Sequence, residues 1–146
     1  TTLPGSTIIN RPVEIAGGTY HITCASVGNP HCVVFCDDPS ALDLETLGPT
    51  FERASSFPER INTEFVRIVN EDTLRMRVYE RGNGETVACG TGACAAVIAA
   101  TENGFVEKGK DITVKLVGGD LVVKYTDHEV ILTGDAVLVY EGVVEY

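Results

Sequence analysis

Long apolar runs are missing from this sequence. The longest, Ala93 to Ala100, is far short of the roughly 20 residues that carry a helix across a bilayer, so no membrane partner is expected. No basic stretch followed by an apolar one opens the chain, so no export signal is read there and a cytoplasmic location is the default. Positive charge is scarce as well. Eleven Lys and Arg against 21 Asp and Glu leave a formal net charge of −10, whereas a nucleic-acid partner needs a basic stripe. Arg67, Arg75, Arg77 and Arg81 do cluster. Most read as solvated strand-face residues, and any anion site belongs among them.

Cysteine occurs in the wrong number for a disulfide framework: there are five, Cys24, Cys32, Cys36, Cys89 and Cys94, and an odd set in a chain of this size is not a secreted scaffold. A zinc site would need a second close ligand pair, and none is present, so no metal is expected. In His31-Cys32-Val33-Val34-Phe35-Cys36 the strand period sets Cys32, Val34 and Cys36 on one face, where they read as core residues. Cofactor signatures are lacking too. Gly90-x-Gly92-x-x-Ala95 matches a dinucleotide fingerprint but stands outside any βαβ context. No Walker lysine follows the glycines, no nucleophile elbow is present, and Lys108, Lys110, Lys115 and Lys124 lie away from the loop where a pyridoxal lysine would be wanted. The expectation is a site without a cofactor.

What the chain does have is alternation. At 146 residues, 44% hydrophobic and 22% charged, it suits one globular domain over residues 1–146. Its start on Thr1 rather than Met hints at a piece of something longer. Tyr20, Ile22 and Cys24 alternate against His21, Thr23 and Ala25, and Ile112, Val114 and Leu116 against Thr113, Lys115 and Val117. Gly118-Gly119-Asp120 then turns the chain into Leu121–Tyr125, and Val130–Leu132 and Val137–Tyr140 supply two more short strands. Two segments read as helices. Pro39 to about Arg53 is an amphipathic surface helix carrying Leu42, Leu47 and Phe51. Thr91 to Glu102, stopped by Asn103-Gly104, has a body with no polar face and must be buried. The pattern predicts an α+β fold: a mixed, mostly antiparallel sheet curled into a barrel around that central helix, plus the surface helix.

The chemistry concentrates in Val78-Tyr79-Glu80-Arg81-Gly82-Asn83-Gly84-Glu85-Thr86-Val87-Ala88-Cys89-Gly90-Thr91-Gly92-Ala93, a strand end, a glycine-rich loop and the start of the buried helix. Free N–H groups and the positive end of the helix dipole suit a carboxylate there. Gly90 and Gly92 would keep the approach open, and the same field would lower the pKa of the Cys89 thiol. Cys89 is either reactive or inert on this argument; Cys94, one turn further in, is expected to be inert. Glu80 shares the Leu74, Met76 and Val78 face, so it is either a paired inward carboxylate or a strand end turning to solvent.

Ala88-Cys89-Gly90-Thr91-Gly92-Ala93, preceded by Tyr79-Glu80-Arg81-Gly82, resembles the second cysteine motif of the diaminopimelate epimerase family. Gly28-Asn29-Pro30-His31-Cys32 and Arg60-Ile61-Asn62-Thr63-Glu64-Phe65-Val66 resemble two further motifs in the same order. The resemblance implies a cofactor-independent isomerase that interconverts LL- and meso-diaminopimelate in lysine and peptidoglycan synthesis. It implies that Cys89 is one of two catalytic thiols on opposite faces of the α-carbon. Gly90 and Thr91 would hold the reacting carboxylate, Arg81 the distal one, and Asn29, Asn62 and Glu80 the rest of the distal end, with His31 supporting the site. It implies a missing amino-terminal half that brings the first cysteine, a last strand that returns to pack on that half, and room for a homodimer. A proline racemase-like or other isomerase of the same fold, and a silent carboxylate-binding domain, are the alternatives.

Overall fold

A computed structural model describes residues 1–5 and 7–146. The period-two stretches become strands. β1 (Arg11–Ile15) and β2 (Gly18–Ser26) form a hairpin across Ala16 and Gly17, both at positive φ, the turn whose twist matches that of its strands. β3 (Pro30–Phe35) follows antiparallel to β2, and β4 (Asn62–Asn70) lies parallel to β3. β5 (Thr73–Glu80) returns beside β4, and the short β6 (Gly84–Thr86) folds back on its end. β7 (Asp111–Leu116) is parallel to β5, and β8 (Gly119–Tyr125) and β9 (Val130–Thr133) complete the sheet antiparallel. The β7–β8 turn is Val117-Gly118, with Gly119 and Asp120 already paired in β8, one residue earlier than the glycines alone suggested.

A parallel pair cannot be joined by a tight turn and needs a crossover. The β3–β4 crossover carries α1 (Leu44–Glu52), and the one between β5 and β7 carries α2 (Gly90–Glu102). The first predicted helix is therefore split: Pro39–Ala41 is a 3-10 turn, and Asp43 restarts the chain as α1 by accepting the Thr46 N–H. α2 is buried along its length by Ala93, Cys94, Ala95, Ala96, Val97, Ala99 and Ala100, as its lack of a polar face requires. It packs against β2, β3, β4, β5, β7, β8 and β9, so the sheet curls round it.

The sheet does not close. Its order is β1-β2-β3-β4-β5-β7-β8-β9, with β6 on β5; among the described residues β1 pairs only β2 and β9 only β8. A barrel requires every edge to be paired, so the expected barrel is corrected to an open mixed sheet. Val137–Tyr140 likewise forms no strand. Residues 134–146 run on without regular structure, and Val137, Leu138, Val139, Tyr140, Val143 and Val144 are exposed, because the segment pairs with no strand among the described residues.

The sheet separates two cores. Val33, Val66, Leu74, Met76, Val78, Ile112, Val114 and Val123 pack with α2. Cys32, Val34 and Phe65, the alternate residues of β3 and β4, pack with Ile22, Leu44 and Phe51 on the α1 side. Phe51 meets Phe65 and Tyr20 edge to face at 5.3 and 4.8 Å. Fully burying such a ring contributes about 1.5–3 kcal/mol, which fastens α1 to the sheet. Cys36 joins this core as the alternation predicted, and burial, with Asp37 and Asp38 nearby, pushes its thiol up to about 11.

Candidate active site

β5 ends at Glu80, the chain turns through Arg81–Asn83 into β6, and after Val87 and Ala88 Cys89 opens α2. Cys89 is the N-cap. Its backbone is extended, and its Sγ accepts the Gly92 N–H at 3.3 Å, the role usually given to Ser, Thr, Asp or Asn. The Thr91 hydroxyl lies 3.6 Å from the same sulfur. Among the described residues the N–H groups of Gly90 and Thr91 have no protein acceptor.

The thiol itself differs from expectation. Burial pushes the Cys89 pKa above the ordinary thiol value; Thr91 and the Gly92 N–H pull it down, and the Glu80 and Glu64 carboxylates push it further up. Desolvation outweighs these two hydrogen bonds. Cys94 sits buried inside α2, also pushed up by burial.

Gly92 has a second reason to be glycine. A Cβ there would stand 2.8 Å from Glu64 Oε1 and 3.2 Å from Cys89 Sγ, and one at Gly90 would meet Leu132 at 3.0 Å. These glycines let protein groups pack against the helix end, as well as leaving it open to a ligand.

The loop before the helix is pinned from three sides. Asn62 Oδ1 accepts the Arg81 N–H at 2.9 Å, Glu52 Oε1 accepts the Gly82 N–H at 2.8 Å, and Arg81 Nη1 donates to the Glu59 carbonyl at 3.1 Å. Asn62 Nδ2 donates to the Pro30 carbonyl at 2.9 Å, so this side chain ties β3 and β4 to the end of β5. The Glu80 carboxylate is half-buried and accepts the Thr86 hydroxyl, the partnered form of the inward reading.

His31 is fully buried, and its ring bridges two residues. Nε2 meets Asn29 Oδ1 at 3.0 Å, and Nδ1 meets Glu64 Oε1 at 2.6 Å, with neither partner of that pair exposed. Asn29 Nδ2 donates to Thr91 Oγ1 at 3.2 Å, closing a path to Cys89. Burial holds the Glu64 carboxyl above the usual carboxylate range, with His31 pulling it back in part. The structure thus brings Asn29, His31, Thr91 and Cys89 into one network, and Asn62, Glu80 and Arg81 into the adjoining loop. Sequence reasoning missed Glu64 and Glu52. Glu64 was within reach: period two places it with Asn62 and Val66 on an inward face, the same test that singled out Glu80. Glu52, at the end of an amphipathic helix, carried no such signal. Among the described residues no group of three or more His, Cys, Asp or Glu side chains could hold a metal ion.

All of these site residues fall within residues 23–139, which match the family model described as diaminopimelate epimerase. The chain belongs to the diaminopimelate epimerase family. The diaminopimelate epimerase of Bacillus cereus is 53% identical over 128 residues, covering 87% of this chain and 44% of the relative. That of Nostoc punctiforme is 47% identical over 137 residues, covering 92% and 48%. The chain therefore spans about half the length of the curated epimerases it matches. Solved structures of PhzF-family phenazine biosynthesis proteins share the fold: the Bacillus anthracis protein at TM-score 0.51 and 22% identity, over 78% of this chain and 36% of that one. The Enterococcus faecalis protein stands at TM-score 0.54 and 15% identity, over 74% and 40%. At such identities the likeness concerns fold alone.

Proposed function

We propose that this chain is the carboxyl-terminal half of a cofactor-independent diaminopimelate epimerase and supplies one face of its site, in lysine and peptidoglycan synthesis. The observation that carries the reading is Cys89 at the start of α2, next to the Gly90 and Thr91 N–H groups that have no acceptor among the described residues. A substrate carboxylate held on those N–H groups sets its α-carbon beside the sulfur. As the thiolate takes the α-proton, charge moves onto the carboxylate, where the N–H groups and the helix dipole stabilise it. Arg81 meets the distal carboxylate as a planar fork, and Asn29, Asn62 and Glu80 hold the rest of the distal end, so that only one centre reacts.

Inversion needs an acid on the opposite face. Cys24, Cys32 and Cys36 pack on the α1 side of the sheet and Cys94 lies inside α2, so the opposing thiol comes from the other half. The exposed apolar segment 134–146 supports a partner surface of this kind. Assayed with LL-diaminopimelate in deuterated water, this chain alone is expected to give no meso product. Addition of the separately expressed amino-terminal half should restore inversion with label at the α-carbon. Epimerisation by the chain alone would mean that another residue serves the second face.

Arg81→Lys in the completed enzyme should weaken diaminopimelate binding by about 2–3 kcal/mol, since a point charge cannot copy the fork. Calorimetric titration checks this, and unchanged affinity would remove Arg81 from the site.

A further inference from the structure

With Asn29 Oδ1 facing the His31 ring and Nδ2 facing Thr91, the hydrogen bonds from Glu64 to Cys89 run in one direction. Asn29 Oδ1 can only accept, so His31 Nε2, 3.0 Å away, carries a hydrogen. With Nε2 protonated, Nδ1 and Glu64 Oε1 cannot face each other at 2.6 Å as two bare lone pairs. One proton lies in that contact. Further along, Asn29 Nδ2 donates to Thr91 Oγ1 at 3.2 Å, which leaves the hydroxyl hydrogen of Thr91 free to donate to Cys89 Sγ at 3.6 Å. Every link then donates toward the sulfur.

With one proton fewer, the remaining ring hydrogen moves from Nε2 to Nδ1 and the chain reverses. Nδ1–H would donate to an ionised Glu64, and Nε2 would accept from a flipped Asn29 amide. Asn29 Oδ1 would then take the Thr91 hydroxyl hydrogen, and Thr91 could only accept from a protonated thiol. The unpartnered, buried Oε2 of Glu64 favours the first arrangement, because an ionised carboxylate with a bare oxygen in a dry core is heavily penalised while a neutral acid is much less so; the neutral acid also lacks the charge by which an ionised Glu64 pushes the Cys89 thiol up.

We propose that Glu64 is a positioning residue for Cys89: the proton it shares with His31 sets the polarity of the Asn29–Thr91 chain, so that the Thr91 hydroxyl donates to the sulfur and favours its thiolate. The inference deepens the epimerase reading and rests on it for the role of Cys89. A thiol that must alternate between base and acid gains from a neighbour that favours the thiolate without bringing a cation to the site. The other titratable groups around the chain are Glu80 from β5, Cys24 from β2, Cys32 from β3 and Cys94 from α2. All stay unchanged in the variants below.

The test reads the ring and the thiol in the full chain and does not depend on turnover, so its failure is separate from a failure of the α-proton assay. Nitrogen-15 spectra of the wild-type His31 ring should show Nε2 protonated; an unprotonated Nε2 overturns the proposal without any variant. Alkylation of Cys89 by iodoacetamide, followed by peptide mapping across pH, gives the second readout. Glu64→Leu should move the Cys89 profile to higher pH and slow alkylation below the midpoint by about tenfold, the size of one hydrogen bond to a charged group. Thr91→Val should do the same, and the double variant should add nothing. Glu64→Gln, whose amide can donate to Nδ1, should restore what leucine loses. A wild-type profile in Glu64→Leu, or a glutamine variant as slow as the leucine one, overturns the proposal. If the leucine variant fails to fold, the wild-type ring spectrum, Thr91→Val and Glu64→Gln decide it.

Discussion

Cys89→Ser, in the enzyme completed by the half that this chain does not span, is expected to lower epimerisation by roughly 10²–10⁴-fold, the usual worth of a positioned acid/base group. A serine hydroxyl is far too weak an acid to be ionised near neutral pH, so a site that uses position 89 as its base would lose it. The fold should survive. Position 89 is the N-cap of α2, where the side chain accepts the Gly92 N–H, and serine is among the best residues for that place. The thermal midpoint should therefore stay level or rise while turnover collapses. That combination separates a chemical role from a structural one. A calorimetric scan beside an assay of α-proton exchange reads both, and retained turnover would count against a two-thiol mechanism.

Gly48→Ala should lower stability more than the gain that alanine brings to a helix. Inside an exposed helix the change would stabilise by about 1 kcal/mol, since alanine is the better helix former. Here a Cβ would fall 2.1 Å from Tyr79 Cδ2 and 2.3 Å from its Cγ. The Cγ is the root of the ring, so no small rotation of the tip relieves the contact; α1 must lift from β5 or the ring must leave its place. Overpacking of this kind costs about 1–3 kcal/mol, and a net loss of about 2 kcal/mol in chemical denaturation is the expected outcome. A variant as stable as the wild type would mean that α1 does not press on Tyr79. Because Glu52 at the end of α1 holds the Gly82 N–H, the substitution should also loosen the loop that carries Arg81.

Much of this architecture could be read along the chain because its signals are local. The absence of any polar residue from Ala93 to Ala100 required a buried helix, and alternation of Cys32, Val34 and Cys36 placed them in one core. The loop from Glu80 to Gly92 announced a site through residue types that have few other uses together. Where an element's fate depended on a distant neighbour, the reading slipped. Val137–Tyr140 has the composition of a strand but pairs with no strand among the described residues, and strand propensity without a partner forms no ladder. The expectation of a closed barrel failed for the same reason, since closure is a property of two edges far apart in sequence.

The site divides along the same line. The sequence by itself determined which residues could carry the chemistry: a thiol at a glycine-opened helix start, a strand-end carboxylate, an arginine beside it, and the asparagines and histidine of two further motifs. Only the tertiary structure decided how they act on one another. The parallel register of β3 on β4 sets His31 against Asn62 and Val33 against Glu64, and this brings Glu64 to His31 and, through Asn29 and Thr91, to Cys89. It also decided that burial outweighs the hydrogen bonds from Thr91 and the Gly92 N–H at the Cys89 thiol. Dielectric environment, hydrogen-bond direction and strand closure all depend on what lies across space, and no spacing along a chain encodes them.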